Sequence, residues 1–145
     1  MARYNTIYAG PADEPKPLAV EVVATGAITP GNLFTPAGAV AVAATATEVY
    51  VAQENYLLMK GVDTAYASGD LVVGLRMIPG QFYNVRVAAT VAVTKGAALA
   101  LGASGNLVIA TAGARVVAFA DETVTVGASA DLVRVVAATG YRLEA

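Results

Sequence analysis

The sequence predicts an all-β fold, a small β-barrel or β-sandwich of many short strands with an extended N-terminal arm, on three observations. Apolar residues fall in short valine-rich runs cut by turn signals every few positions, a spacing that suits strands and not amphipathic helices. Two small side chains dominate: of 145 residues, 32 are alanine and 22 are valine. Interleaved with β-branched Val and Thr and with Gly, the alanines lose the weight that their helix propensity would otherwise carry. Finally, Phe82, Asn84 and Arg86 alternate with Tyr83, Val85 and Val87, and Arg134 alternates with Val133 and Val135. A period of two puts unlike groups on opposite faces, so these strands are expected to have one wet face each.

Along the chain, residues 1–17 stand apart as the arm. Pro11, Pro15 and Pro17 lie among Asp13, Glu14 and Lys16. Each proline fixes its own φ and pushes its predecessor toward extended geometry, which disfavours helix. Two readings stand here: a disordered tail, or an arm in which Tyr4, Ile7 and Tyr8 anchor on a neighbouring protein. On the second reading, deleting residues 1–17 weakens that contact and leaves the rest folded. Residues 18–145 form a single β domain, with strands expected at 18–25, 40–44, 48–52, 56–60, 71–78, 81–89, 98–101, 107–110, 116–119 and 132–137. A chain of this size buries roughly 70% of its unfolded surface without disulfides or metals.

Four turns share one echo: Pro30-Gly31-Asn32-Leu33, Ser68-Gly69-Asp70-Leu71, Ser104-Gly105-Asn106-Leu107 and Ser129-Ala130-Asp131-Leu132. Gly-Asn and Gly-Asp suit tight turns with positive φ, and the leucine that follows is placed to enter the core. Reused turn chemistry and an old duplication both account for the echo, and its spacing is too irregular for a solenoid or propeller.

Composition removes whole classes of function. Nine Lys and Arg against eleven Asp and Glu give a net charge of −2, with no basic block to neutralise phosphates, so nucleic acid is not an expected partner. Cysteine, histidine and tryptophan are all absent, which takes away thiol nucleophiles, imidazole acid–base chemistry and soft metal ligands. The opening residues have no apolar stretch behind them and do not read as a secretory signal. Residues 22–47 and 96–114 carry no charge, but Gly26, Pro30, Gly31 and Pro36 break the first run and Gly102, Gly105 and Gly113 the second, so neither reads as a membrane span.

The candidate chemistry is thin. Asp63-Thr64-Ala65 has the look of an aspartic-protease triplet, but alanine stands where glycine is usual and a turn follows at once. Asp121-Glu122 lacks the spaced oxygen ligands of a calcium loop. Ser68, Ser104 and Ser129 sit in turns with no histidine as base, and Ser104-Gly105 is followed by no Gly-Lys-Ser/Thr. No Asn-x-Ser/Thr sequon occurs. No catalytic residue, cofactor or metal is therefore expected, and the chain is not expected to be an enzyme.

A longer series of residues carries a resemblance. Lys60-Gly61-Val62-Asp63-Thr64-Ala65-Tyr66-Ala67-Ser68-Gly69-Asp70-Leu71-Val72 is followed by Pro79-Gly80, Val93-Thr94-Lys95-Gly96-Ala97-Ala98-Leu99, Gly105-Asn106-Leu107-Val108, Val117-Ala118-Phe119-Ala120 and Ala130-Asp131-Leu132-Val133-Arg134-Val135. Over roughly residues 55–137 this order resembles the small capsid decoration, or cement, proteins of tailed bacteriophages. It departs from them at Val117, where a glycine commonly stands. The resemblance implies a trimer on the outer surface of the capsid, with the major capsid protein and its own copies as partners. It implies stabilisation of the shell by bridging capsomers, and an arm, here Met1 to Pro17, that reaches the shell or an adjacent subunit. A head-fibre or tail module that binds a host surface shares the all-β reading. Scarce aromatic residues, seven Tyr and three Phe with no Trp, count against sugar stacking.

Overall fold

The computed structural model describes residues 2–10, 17–42 and 48–138. Among them it contains twelve strands, one short 3₁₀ turn and no α-helix, so the all-β expectation holds. Five strands close a barrel: β6 (Phe82–Val87), β12 (Asp131–Ala137), β10 (Val116–Ala120), β8 (Ala98–Leu101) and β9 (Leu107–Ile109) follow one another around it. Neighbours are antiparallel except at the seam, where β9 meets β6 in parallel through Val87 and Leu107.

A five-stranded barrel has a narrow interior, and side chains must fill it. Tyr83, Val85 and Val87 of β6 face Val133 and Val135 of β12, with Leu99, Leu107, Ala118 and Ala120 completing the filling. Small valine and alanine side chains pack there beside the larger Tyr83, Leu99 and Leu107, so the barrel uses part of the valine excess, while most of the described alanines lie outside the core. A β-bulge between Val116 and Ala118 falls at Val117, the position where the resemblance led one to expect glycine.

A second sheet packs beside the barrel in the order β2 (Ala19–Val23), β5 (Leu71–Leu75), β4 (Tyr50–Ala52), β3 (Leu33–Phe34). Leu33, Val51 and Leu75 join the barrel core, while Phe34, Tyr50, Tyr66, Ile28 and Val72 make a core of their own. Gly74 makes room for the Phe34 ring, since a Cβ there would sit 2.4 Å from Cζ. The two turns Gly31-Asn32 and Gly105-Asn106 join sheet to barrel. Leu33 N–H donates to Gly105 O (2.8 Å), Gly105 N–H donates to Ala41 O (2.9 Å), and Asn32 Nδ2 donates to Asn106 Oδ1 (2.7 Å). A small ribbon of β7 (Ala92–Val93) and β11 (Val124–Thr125), with β1 (Tyr8–Gly10) beside β6, completes the described strands.

Several expectations are corrected. Residues 56–60 are not a strand: Tyr56–Leu58 form a 3₁₀ turn, with Asn55 Oδ1 accepting from Leu58 N–H (3.3 Å) and Met59 left-handed at φ 52°. Four large apolar side chains in a row gave no alternation to separate two faces. Of the strand expected at 40–44, Val40 makes a single bridge to Phe34, and 43–44 lie outside the described residues. Leu71 is 49% exposed, unlike Leu33, Leu107 and Leu132, which are fully buried. The polar face of β6 is not wet, because Asn84 and Arg86 are both buried. Strands β3, β7 and β11 have two residues each, too few to show any period.

Candidate interaction surface

Of the residues expected to anchor a partner, Ile7 and Tyr8 lie along one edge of β6 and Tyr4 lies at Glu122. Within the segment read as an arm, β1 (Tyr8–Gly10) pairs antiparallel with β6, Tyr8 opposite Tyr83. Three separate segments satisfy that edge of β6: Asn84 N–H donates to Ile7 O (2.7 Å), Arg86 N–H to Gly31 O (2.9 Å) and Ala88 N–H to Leu107 O (2.9 Å). Asn84 Nδ2 also donates to Thr6 O (2.7 Å).

Ile7 has no accessible surface and belongs to the barrel core. A side chain so placed offers nothing to a second protein, and its removal with residues 1–17 would open the core, contrary to the expectation that the rest stays folded without it. Tyr4 and Tyr8 are half-buried and pack against the same core. Tyr4 OH donates to Glu122 Oε2 (2.7 Å), and the Arg3 guanidinium lies 5.6 Å from the Tyr4 ring. Burial, and then the Glu122 carboxylate, push the Tyr4 phenol above its ordinary pKa. Tyr8 tilts against Tyr83 at 5.7 Å between ring centroids. Ala2, Arg3 and Ile7 donate main-chain N–H groups to Asp63, Asp131 and Glu54, so carboxylates from a turn, from β12 of the barrel and from the segment after β4 hold residues 2–7 along their length.

Arg86, which the alternation placed in solvent, is the polar centre of the molecule. Its Nε donates to Pro30 O (2.8 Å), Nη1 to Ala130 O (3.2 Å), and Nη2 to Val62 O (2.9 Å) and Asp63 Oδ1 (3.1 Å). The five donors of a guanidinium can tie several loops at once, and here they hold three turns to one strand. Asp63 is thereby a structural partner. The Ala2 N–H bond and then Arg86 hold its carboxyl below the ordinary range, which favours the ion.

Asp121 and Glu122 form an ion network. Lys95 Nζ and Arg134 Nε reach Asp121 at 3.1 and 2.8 Å. Partial burial pushes Asp121 up, but these two cations outweigh it and hold the carboxyl low. Glu122 accepts from Arg3, Tyr4 and the Arg134 main chain. Among the described residues no group of three acidic side chains is placed to hold a metal ion. No helix among them is long and apolar enough to cross a membrane.

Sequence reasoning missed a second exposed feature. Tyr56, Leu57, Leu58 and Met59 stand 53%, 65%, 63% and 94% exposed at the 3₁₀ turn. Beside them Leu57, Leu58, Leu71 and Val73 line a shallow cleft with Asn55 and Asp70.

No family model matches the sequence, and no curated protein sequence matches it. Among solved structures, the chain is similar to the N base of the head fibre protein gp8.5 of bacteriophage phi29, with a TM-score of 0.53 and 21% identity, over 88% of this chain and 98% of that one. At that identity the likeness is one of fold, and it extends to the barrel and the second sheet together.

Proposed function

We propose that this chain is a structural component of a tailed-phage head, a capsid decoration protein that binds the outer surface of the shell as a trimer and stabilises it by bridging capsomers. The observation that carries this reading is the fold likeness to a phage head-fibre base over nearly the whole of both chains. The residue series from Lys60 to Val135 supports it independently. The role is mechanical, not catalytic. Each copy adds buried contact area across shell subunits, and binding to the intact shell stabilises that state by mass action. Three linked attachment points raise avidity well beyond that of a single contact. The exposed halves of Tyr4 and Tyr8, flanked by Arg3, supply part of the surface that meets the major capsid protein, with Ile7 fixing their position from within.

A second reading, the base of a head fibre, is favoured by the structural neighbour, itself a head-fibre base. Co-sedimentation of the purified protein with emptied, expanded phage heads tests the shared claim. Failure to sediment with heads defeats both readings. If the protein does bind, a rise in the rupture temperature of decorated heads supports cementing, and an unchanged rupture temperature supports a fibre base.

A further inference from the structure

Among the described residues, the apolar cluster around the 3₁₀ turn joins neither core. Met59 is 94% exposed in a left-handed conformation that methionine rarely adopts. The main chain around it is well tied, since Met59 N–H donates to Tyr56 O (3.1 Å) and Lys60 N–H to Asn55 O (3.0 Å). The side chain thus projects outward from a hydrogen-bonded turn. Val23 lies directly opposite Leu71 across β2 and β5, so both project from the same face, and they are 57% and 49% exposed. Together with Tyr56, Leu57, Leu58 and Met59 they present on the order of 600 Å² of largely apolar surface. That is the upper end of what a lone soluble chain exposes, and it approaches the ~800 Å² per partner of a standard interface.

Knob and socket lie side by side in this patch. Met59 projects, and next to it opens a cleft of about 200 Å³ lined by Leu57, Leu58, Leu71 and Val73, large enough to admit a methionine side chain. The polar edge carries both signs, Lys60 beside the knob and Asp70 on the cleft wall. Around a three-fold axis such a surface can close head to tail, the projection of each copy meeting the hollow of the next and Lys60 facing Asp70 across each contact.

We infer that this patch is the self-association surface of the protein, Met59 of one copy entering the cleft between Leu58 and Leu71 of another. The inference deepens the oligomeric part of the function proposed above, and it is tested on the free protein, so shell binding can hold or fail separately.

The test is the mass of the full chain in solution by sedimentation velocity across the micromolar range. Wild type is expected to be oligomeric, with Met59→Asp and Leu71→Asp dissociating it and raising the dissociation constant by roughly tenfold or more. Ile109→Asp, the same charge change at an exposed barrel position, is expected to leave the mass unchanged. Met59→Asn separates folding from association, because asparagine accepts the left-handed backbone. Its thermal midpoint is expected to hold or rise while association weakens. A monomeric wild type overturns the inference. So does an oligomer that survives both patch variants, or one that Ile109→Asp disrupts equally.

Discussion

The Arg86 guanidinium lies 3.1 Å from the carboxylate of Asp63, yet the other three of its four hydrogen bonds go to main-chain carbonyls, those of Pro30, Val62 and Ala130. The side chain of Arg86 is 9% exposed and that of Asp63 is 52% exposed. The ion pair is therefore the minor part of the arrangement, and the buried donors are the major part.

From that asymmetry the two partners are expected to behave differently when replaced. Arg86→Ala strands three carbonyls and opens a cavity, which costs about 3–5 kcal/mol of unfolding free energy. Arg86→Lys also costs more than about 1 kcal/mol, because one ammonium cannot reach three turns. Asp63→Asn removes only a solvent-screened attraction and costs about 0–1 kcal/mol. Urea denaturation of the three variants checks the order. Equal losses at Arg86 and Asp63 would show that the ion pair, and not the carbonyl ties, holds the turns.

The pH dependence follows from the shifted groups. Asp63 and Asp121 have folded pKa values below their ordinary ones, so their contribution is present above about pH 4 and is lost as pH falls through the folded values. Burial raises the phenols of Tyr66 and Tyr83, so their contribution is present below about pH 10 and is lost as pH rises through the folded values. Histidine is absent, so no side chain has an ordinary pKa near neutrality. Thermal midpoints are expected to stay level from about pH 5 to 9 and fall on both sides. A step near pH 6.5 would contradict this account.

Ile7 gives the N-terminal segment a folding role that can be separated from any partner contact. Ile7→Ala leaves a cavity in the barrel core and is expected to cost about 2–5 kcal/mol, against about 0.5–1.5 kcal/mol for Ile7→Val. Tyr4→Phe keeps the ring and removes only the 2.7 Å bond to Glu122, with an expected cost of about 1 kcal/mol. Calorimetry of the three variants checks the ranking. If Ile7→Ala proves neutral, the segment is not part of the core.

What could be read from the sequence was what lies within one strand. Strand β8 falls on residues 98–101 as expected, and β5, β6, β10 and β12 follow their valine runs. What could not be read was which faces a second layer covers. Arg86 alternates with Val85 and Val87 as a solvent-facing residue would, but residues 30, 62 and 130 reach it from distant turns, and no local pattern announces them. The same limit applies at Leu71, whose turn matches those of Leu33 and Leu107 but which stays half-exposed, on a face that no described strand covers. The candidate residues fared alike: the arm's apolar content was visible, but that Ile7 turns inward while Tyr4 and Tyr8 stay at the surface depends on the pairing of this segment with the edge of β6, a strand distant in sequence.

The echoing turns supply a last contrast, because Gly69 and Gly105 share a left-handed backbone but not a neighbourhood. Their φ angles are +91° and +72°, so alanine is strained at either position, at about 1 kcal/mol. A Cβ on Gly69 meets nothing within 4 Å, whereas one on Gly105 would lie 2.5 Å from Leu33 O. That oxygen belongs to the main chain of β3, and it cannot yield without loosening the Leu33 to Gly105 hydrogen bond that ties sheet to barrel. Gly105→Ala is therefore expected to cost at least about twice as much as Gly69→Ala in chemical denaturation, the backbone clash adding to the strain. It is also expected to speed amide exchange at Leu33, while Gly69→Ala leaves that amide as protected as before. Equal costs, with Leu33 still protected in both, would mean that the two layers are joined elsewhere.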